Sequence, residues 1–342
     1  MSRKTKQNNI TSPELIAQIS KENADLIKDF LDYLRSTQKR PSTIEQYRYD
    51  LHIAFVWNVL NNDNKFFVKW SKRNVVSFQN YLLNENGNSP ARVRRLKASL
   101  ASLSNYIYNI LDDEYPEFRP IVNKIENPVL TPVREKSIFS EEEIDGLLEE
   151  LTMIGRYDQA CALALALCSG RRKSELLRFR VSDFTEDRLV CGGSLYKTSA
   201  ISTKGRGING KMLECFCLAK RFKPYLDRWN EYKISHGIES EWLFPKKDNP
   251  AEALPVTTLD TWADKFTTML NDKSFYWHSM RHMTVTMFLR NGVPAHIVQK
   301  YLGWADISLV SVYSDLSTDE ELSKYFTADG IVVPQGRSFN DM

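Results

Sequence analysis

Two regions of the chain, about a hundred residues apart, carry side chains suited to phosphodiester chemistry. In the later region, Arg281 follows His278 by three positions, Trp304 ends a Leu-Gly-Trp triplet, and Tyr313 lies nine positions after that tryptophan. The earlier region, residues 170–175, reads GRRKSE and adds two arginines and a carboxylate. Attack on a phosphodiester places negative charge on non-bridging oxygens, which forked guanidinium groups bind well. A phenol beside such groups is a candidate nucleophile.

The spacing of these residues restricts how they can meet. His278 and Arg281 are three positions apart, so both can face the same side of a helix. Arg171 and Arg172 compete for the role of second guanidinium, and an Arg-Arg-Lys run on its own indicates only a solvated surface. The ordinary pKa of a phenol is about 10, so Tyr313 needs nearby cations and a base to react at neutral pH.

The order G-x-R-x-x-E, H-x-x-R, L-G-[HW] and a tyrosine nine positions later resembles the tyrosine recombinase (phage integrase) family. The resemblance covers most of residues 20–326 and selects Arg172 over Arg171. It implies a site-specific DNA recombinase or integrase that cleaves and rejoins strands through a 3′-phosphotyrosine intermediate, without metal or ATP, as a tetramer acting via a Holliday junction. A type IB topoisomerase, which rejoins the same strand, is the alternative. A relative that binds DNA without cutting it is the third possibility.

The resemblance also implies a role for each residue at the phosphate. Tyr313 is the nucleophile, and Arg172 and Arg281 clamp the scissile phosphate. Trp304 takes a position where the family more commonly has histidine. Its indole N–H donates one hydrogen bond and does not titrate, so it stabilises the phosphate without acid–base chemistry. A core tryptophan with no other role is the structural alternative at that position.

Proton transfer needs two further groups. His278 is expected to bind the phosphate or to help remove the phenol proton. Residues 203–207 resemble the hairpin that carries the general acid of the family, which makes Lys204 the acid, with Lys197 and Lys211 as alternatives. The predicted catalytic set is therefore Arg172, Lys204, His278, Arg281, Trp304 and Tyr313, with Glu175 and His282 in support.

Basic residues are clustered, although the net charge is only +3. Four lie within residues 92–97, and residues 196–223 contain seven against the single acid Glu214. Each cluster alone indicates a solvated face, but together with the phosphate chemistry they favour double-stranded DNA as the partner. Paired core sites, a homotetramer on DNA and accessory bending or directionality factors follow from the resemblance. The predicted DNA-binding residues are Arg92, Arg94, Arg95, Lys97, Arg206 and Lys211.

Hydrophobic periodicity predicts a mainly α protein with two domains. Residues 1–20 are expected to form a flexible arm, and residues 21–115 a four-helix domain, which the resemblance identifies as a SAM-like domain that binds the core site. The proline-containing residues 116–137 form a linker. Residues 138–326 are predicted to form a mixed α+β catalytic domain, mostly helical with a small antiparallel sheet near residues 188–218, and residues 327–342 a C-terminal tail.

Local signals place several helix boundaries. Residues 42–45 (STIE) and Ser140 with its following glutamates predict capping boxes, the first opening a helix that runs through Trp57. Ser89 before Pro90 predicts an N-cap. Thr318 is the predicted N-cap of a short helix reaching Phe326. Further helices are predicted over residues 22–34, 75–83 and 91–110.

Several classes of protein are excluded by composition. The longest apolar run, residues 161–168, is too short to span a bilayer, and the N-terminus lacks the apolar stretch of a signal peptide. The five cysteines are predicted to be reduced core thiols, since no spacing suits a metal. We therefore expect no metal, no cofactor and no membrane partner. A cytoplasmic location, associated with the nucleoid, is the corresponding expectation.

Overall fold

The computed structural model describes residues 10–130, 137–205 and 210–323, together with the backbone of residues 326–327 and 330–331. These residues form two compact units, one in residues 10–130 and the other in residues 137–204 and from 211 onward. We call residues 10–130 the helical unit and the residues from 137 onward the C-terminal unit. In the described residues, no helix has the length and apolar character needed to cross a membrane.

The helical unit contains four helices of nine or more residues among its described residues, preceded by one short turn of helix. Aromatic side chains cluster within its mainly aliphatic core, with Phe55, Trp57, Phe67 and Phe78 almost fully buried and in ring contact with one another or with Trp70. The helices are α1 (Pro13–Ile16), α2 (Lys21–Ser36), α3 (Pro41–Asn61), α4 (Lys72–Asn80) and α5 (Pro90–Ile110), with a π turn over Tyr81–Glu85.

Of the two capping sites predicted in the helical unit, one is confirmed and the other is wrong. Ser89 caps α5 as predicted, accepting from the Arg92 N–H with Pro90 at the first helical position. The capping box predicted at residues 42–45 is wrong. Helix α3 begins earlier, with Pro41 at its first position, because the fixed φ of proline already suits a helix start and places Ser42 inside the helix.

The C-terminal unit is built around α7 (Tyr157–Ser169), in which every residue from Gln159 onward is buried. Alanine, leucine and cysteine cover all of its sides, so it can pack against several helices at once. It contacts α6 (Glu141–Met153), α9 (Ala219–Ser235) and α11 (Trp277–Arg290). The capping box predicted at Ser140 is confirmed at the start of α6. The remaining helices are α8 (Lys173–Leu176), α10 (Val256–Met269), α12 (Ala295–Leu302), α13 (Ser308–Tyr313) and α14 (Thr318–Leu322).

Short antiparallel strands lie between α8 and α9, in the predicted range. Strands β1 (Leu189–Val190), β2 (Leu195–Lys197) and β5 (Phe216–Leu218) form a three-stranded sheet in that order. Strands β3 (Ile201–Thr203) and β4 (Lys211–Leu213) form a separate hairpin, with Thr203 opposite Lys211. The prediction of a mainly α fold with a small antiparallel sheet is confirmed.

The end of the chain differs from the sequence-based prediction. Ser317, and not Thr318, is the N-cap of α14, forming a capping box with Glu320. The helix ends at Leu322, and Phe326 lies in strand β6 (Phe326–Thr327), which pairs with β7 (Gly330–Ile331). Apolar residues after 322 favour a longer helix in the sequence, but the backbone of Phe326–Thr327 pairs with Gly330–Ile331 as a strand instead.

Candidate active site

Helix α7 ends at Gly170, which turns the chain toward the predicted site residues. Gly170 has φ +59°, and a Cβ there would lie 2.6 Å from Leu302 Cδ2, so both conformation and space favour glycine. Its carbonyl oxygen accepts a 2.8 Å hydrogen bond from Arg281 Nη1. The two regions identified from sequence therefore meet directly through the glycine of the first and an arginine of the second.

Tyr313 lies in a pocket of rings. It is the last residue of α13 and is half-buried. The centroids of Trp304, His282 and His278 are 4.8, 4.6 and 5.1 Å from its ring centroid, and the Arg281 guanidinium carbon lies 5.5 Å from the same point. Four of the residues singled out by sequence thus surround the candidate nucleophile, although His278 itself is solvent-exposed.

Arg281 is fully buried and only part of its guanidinium is bonded. Beyond the Gly170 bond of Nη1, its Nε and Nη2 have no hydrogen-bond partner within the part of the chain that the structure describes, and the Trp304 indole N–H lacks one as well. Burial, followed by the charges of Arg172 and Arg171, lowers the pKa of Arg281 to about 9, so the group is charged at neutral pH. Buried donors are normally satisfied, so such a cationic set is suited to the oxygens of an anion.

Arg172 presents a second, more accessible guanidinium. Its side chain is 31% exposed, and its Nη1 donates to Glu175 Oε1 at 3.1 Å while its backbone N–H donates to Oε2 at 3.0 Å. Burial opposes ionisation of Glu175, but the Arg172 N–H and the charges of Arg172 and Arg171 outweigh it and lower the pKa of Glu175. The carboxylate therefore stays charged and fixes Arg172 from one side.

Arg171 has a different role. It is 1% exposed, and each guanidinium nitrogen has a protein partner. Nε donates to Ser169 O at 3.1 Å, Nη2 to Tyr301 O at 2.8 Å and Nη1 to Cys215 Sγ at 3.5 Å. These bonds join the end of α7 to α12 and to the segment between β4 and β5. Arg171 thus faces the core, whereas its neighbour Arg172 remains available to a ligand.

Lys204 follows β3 and its side chain is exposed. Its backbone N–H donates to Glu175 Oε1 at 3.4 Å, which ties the start of the hairpin turn to the carboxylate that holds Arg172. Of the alternative lysines, Lys197 pairs with Glu214 at 2.9 Å and Lys211 is exposed on β4. Arg206, a predicted DNA-binding residue, lies outside the described residues.

Two residues that the sequence reasoning missed hold the segment after Tyr313. The Asp315 N–H donates to Thr286 Oγ1 on α11 at 2.9 Å, and Asp315 Oδ1 lies 3.6 Å from His282 Nδ1. His282, predicted only as a supporting residue, thus lies between the tyrosine ring and this carboxylate. The sequence signal for these contacts is the carboxylate two positions after the candidate nucleophile.

The basic cluster of α5 in the helical unit separates into two groups. Arg92 and Arg95 are partly exposed, whereas Arg94 Nε donates to Pro128 O at 2.9 Å. Lys97, also a predicted DNA-binding residue, lies inside the helical unit. Lys97 is 3% exposed, and its ammonium bonds Gln79 Oε1 (2.7 Å) and the carbonyls of residues 125 (3.0 Å) and 126 (2.9 Å), so its three donors are used inside the protein.

The five cysteines are free thiols, and four of them are buried as predicted, whereas the prediction that Cys191 is also a core thiol is wrong, because Cys191 is exposed. Among the described residues, no group of three or more histidine, cysteine, aspartate or glutamate side chains is placed to hold a metal. Burial raises the pKa of the Cys215 and Cys217 thiols, so they are protonated, inert core groups at neutral pH.

Comparison with known proteins identifies the family. The family model described as "Phage integrase family" matches residues 138–320, which contain every predicted catalytic residue. This chain belongs to the phage integrase family, the tyrosine recombinases. It is 26% identical over 313 residues to the SPbeta prophage-derived recombinase-like protein YomM of Bacillus subtilis (strain 168), covering 89% of this chain and 90% of YomM. It is likewise 26% identical over 306 residues to tyrosine recombinase XerD of Oceanobacillus iheyensis, covering 85% of this chain and 93% of XerD.

Among solved structures, the fold is similar to that of a lambda integrase tetramer bound to a Holliday junction. The TM-score is 0.62 at 12% identity, and the match covers 85% of this chain and 77% of that one. Because the identity is only 12%, the similarity shows the fold alone.

Proposed function

We propose that this tyrosine recombinase cleaves and rejoins double-stranded DNA at specific sites, with Tyr313 forming a 3′-phosphotyrosine intermediate. The observation that carries the proposal is the Nε–Nη2 edge of Arg281, which has no hydrogen-bond partner among the described residues and is buried in the pocket that also contains the Tyr313 ring. Two donors on one edge of a guanidinium match two oxygens of a phosphate. The phosphate would therefore be held where the phenol can reach it.

In the first step, the Tyr313 oxygen forms a bond to phosphorus as the bond from phosphorus to the 5′-oxygen breaks. Arg281, Arg172 and the Trp304 N–H stabilise the charge that develops on the non-bridging oxygens. His278, whose ring is 5.1 Å from that of Tyr313, takes up the phenol proton. Lys204 gives a proton to the leaving 5′-oxygen. The phosphotyrosine retains an ester bond, so a 5′-hydroxyl can reverse the step without ATP or metal.

Exchange between two duplexes requires four cleavage events, and we propose a homotetramer on paired core sites that passes through a Holliday junction. The similar fold of a lambda integrase that was crystallised as a tetramer on a Holliday junction supports this assembly. A type IB topoisomerase would rejoin the strand that it cut. Joined products that combine sequence from both duplexes therefore separate recombination from relaxation.

The test uses a nicked suicide substrate, from which the cleaved end diffuses away and traps the covalent complex. Tyr313→Phe is expected to bind DNA and to form no adduct on denaturing gels. The matched control is Tyr276→Phe, a half-buried tyrosine that immediately precedes α11. It should form the adduct at the rate of the unmodified protein. An adduct that persists in the Tyr313 variant would assign the attack to a different residue.

A further inference from the structure

Outside the catalytic pocket, the helical unit contains a buried carboxylate between helices α3 and α5. Asp50 of α3 is 1% exposed, and its Oδ1 lies 2.8 Å from Arg92 Nη1 while its Oδ2 lies 3.6 Å from Arg95 Nε. Both arginines are near the start of α5. One acid therefore contacts two members of the basic cluster that the sequence predicts to bind DNA.

Each carboxylate oxygen of Asp50 also accepts a hydrogen bond from a neutral side chain. Gln46 Nε2 donates to Oδ1 at 2.9 Å, and Ser99 Oγ donates to Oδ2 at 3.0 Å. A buried charge is tolerated only when it is paired and hydrogen-bonded, and here neutral donors from both helices complete the pairing. The carboxylate is consequently fixed in position, unlike the acid of an exposed ion pair such as Glu45–Arg48 on the same helix.

The two arginines are held at one edge and open at the other. Their side chains are 31% and 54% exposed, for Arg92 and Arg95 respectively. A guanidinium has five N–H donors, and Asp50 uses only some of them. Arg95 also lines an open cavity of about 320 Å³, together with the polar side chains of Ser42, Thr43, Gln46 and Tyr47. The exposed donors of Arg95 therefore lie beside a polar cleft that can admit part of a nucleic-acid backbone.

We propose that Asp50 is a positioning residue that holds Arg92 and Arg95 in the orientation in which they bind phosphates of duplex DNA. This inference rests on the proposed function, because it takes DNA as the partner. An arginine side chain that is already fixed loses less conformational entropy when it binds. Asp50 acts through the two arginines. It does not touch the phosphate, because its own negative charge would repel a phosphate.

Because Asp50 is charged, replacing it can distinguish positioning of the arginines from a simple effect of net charge on DNA affinity. Asp50→Asn removes a negative charge beside the phosphates, so if net charge alone governed affinity the variant would bind DNA more tightly. If Asp50 positions the arginines, Asp50→Asn should instead bind DNA more weakly. Releasing two arginine side chains is expected to weaken binding about 5- to 150-fold, the fold-change that corresponds to ordering two such side chains.

The experiment measures binding of full-length protein to a labelled duplex of mixed sequence by fluorescence anisotropy over a range of salt concentrations. Phosphate contacts are independent of sequence, so this probe reports them directly. Asp50→Asn is compared with Arg92→Ala/Arg95→Ala and with the triple variant. Glu45→Gln, which removes the same charge from the same helix, is the matched control and should bind as tightly as the unmodified protein or slightly more so.

The expected result is weaker binding by Asp50→Asn and no further loss when that change is added to the double arginine variant. A gain in affinity, or an equal loss in both backgrounds, overturns the proposal. If Asp50→Asn does not fold, Gln46→Ala/Ser99→Ala loosens the carboxylate without changing any charge, and unchanged binding by that variant overturns the proposal equally. If the unmodified protein does not bind DNA, the proposed function is refuted. If the unmodified protein and Asp50→Asn bind DNA equally well, only the role of Asp50 is refuted.

Discussion

Replacing Arg281 with lysine keeps the positive charge of the pocket and removes its planar pair of donors. Nη1 is committed to the Gly170 carbonyl, so the Nε–Nη2 edge is the part that can bind phosphate. A hydrogen bond to a charged group contributes about 1.5–3 kcal/mol. A lysine ammonium can restore at most one of the two bonds. The loss of at least one bond slows cleavage roughly 10- to 150-fold, at 1.4 kcal/mol per factor of ten.

The assay is single-turnover formation of the covalent adduct on the suicide substrate, with DNA binding measured separately. Because the clamp acts on charge that develops during attack, the rate should fall much more than the affinity. Arg171→Lys is the control, since its donors already bond protein groups. That variant should lose thermal stability while its folded fraction cleaves at nearly the normal rate. Cleavage by Arg281→Lys at the normal rate, or a slower reaction in the Arg171 variant, would refute the assignment of the clamp.

Three further predictions follow from other contacts. If Lys204 is the general acid, Lys204→Ala should cleave ordinary DNA slowly and recover on a substrate whose bridging 5′-oxygen is sulfur, because that leaving group needs no proton; failure to recover would favour Lys197 or Lys211. The pKa of Glu175 is lowered in the folded protein, so its charge stabilises the fold above its ordinary pKa and this contribution is lost as the pH falls through the folded value. Thermal melts should therefore show Glu175→Gln less stable at pH 7, with the difference narrowing below about pH 4. Gly303 has φ +66°, and a Cβ there would lie 2.2 Å from Leu213 Cδ2. Gly303→Ala should lower the free energy of unfolding, measured by chemical denaturation, by about 1–2 kcal/mol or more. Adding Leu213→Ala should restore part of this lost stability in the same assay.

The sequence predicted which elements form the candidate site more reliably than it predicted the contacts within that site. The glycine after α7 and the three-residue spacing of His278 and Arg281 have local causes, in helix termination and helix periodicity. The structure places His278 and Arg281 next to Tyr313. The N-cap at Ser89 is likewise a local feature. Such signals depend on a few neighbouring residues, so one sequence is enough to identify them.

Burial of individual charges could not be predicted in the same way. Lys97 and Arg95 are two positions apart in one basic run, yet the first is buried against carbonyls of residues 125 and 126 and the second is half-exposed. Which face of α5 is covered depends on where a distant segment packs, and that is a tertiary property. The contact between Asp315 and α11 is of the same kind, since it joins positions 29 residues apart.

The neighbouring arginines after Gly170 place a limit on how this segment can change in length. Arg171 fastens three parts of the C-terminal unit together, while Arg172, one residue later, is turned outward beside Glu175. An insertion or deletion of one residue here would move the Arg171 guanidinium toward solvent and the partly exposed Arg172 guanidinium toward the core. Substitutions can weaken either role separately, but a change of length disturbs both together. The chain should therefore tolerate changes of length poorly between residues 170 and 175.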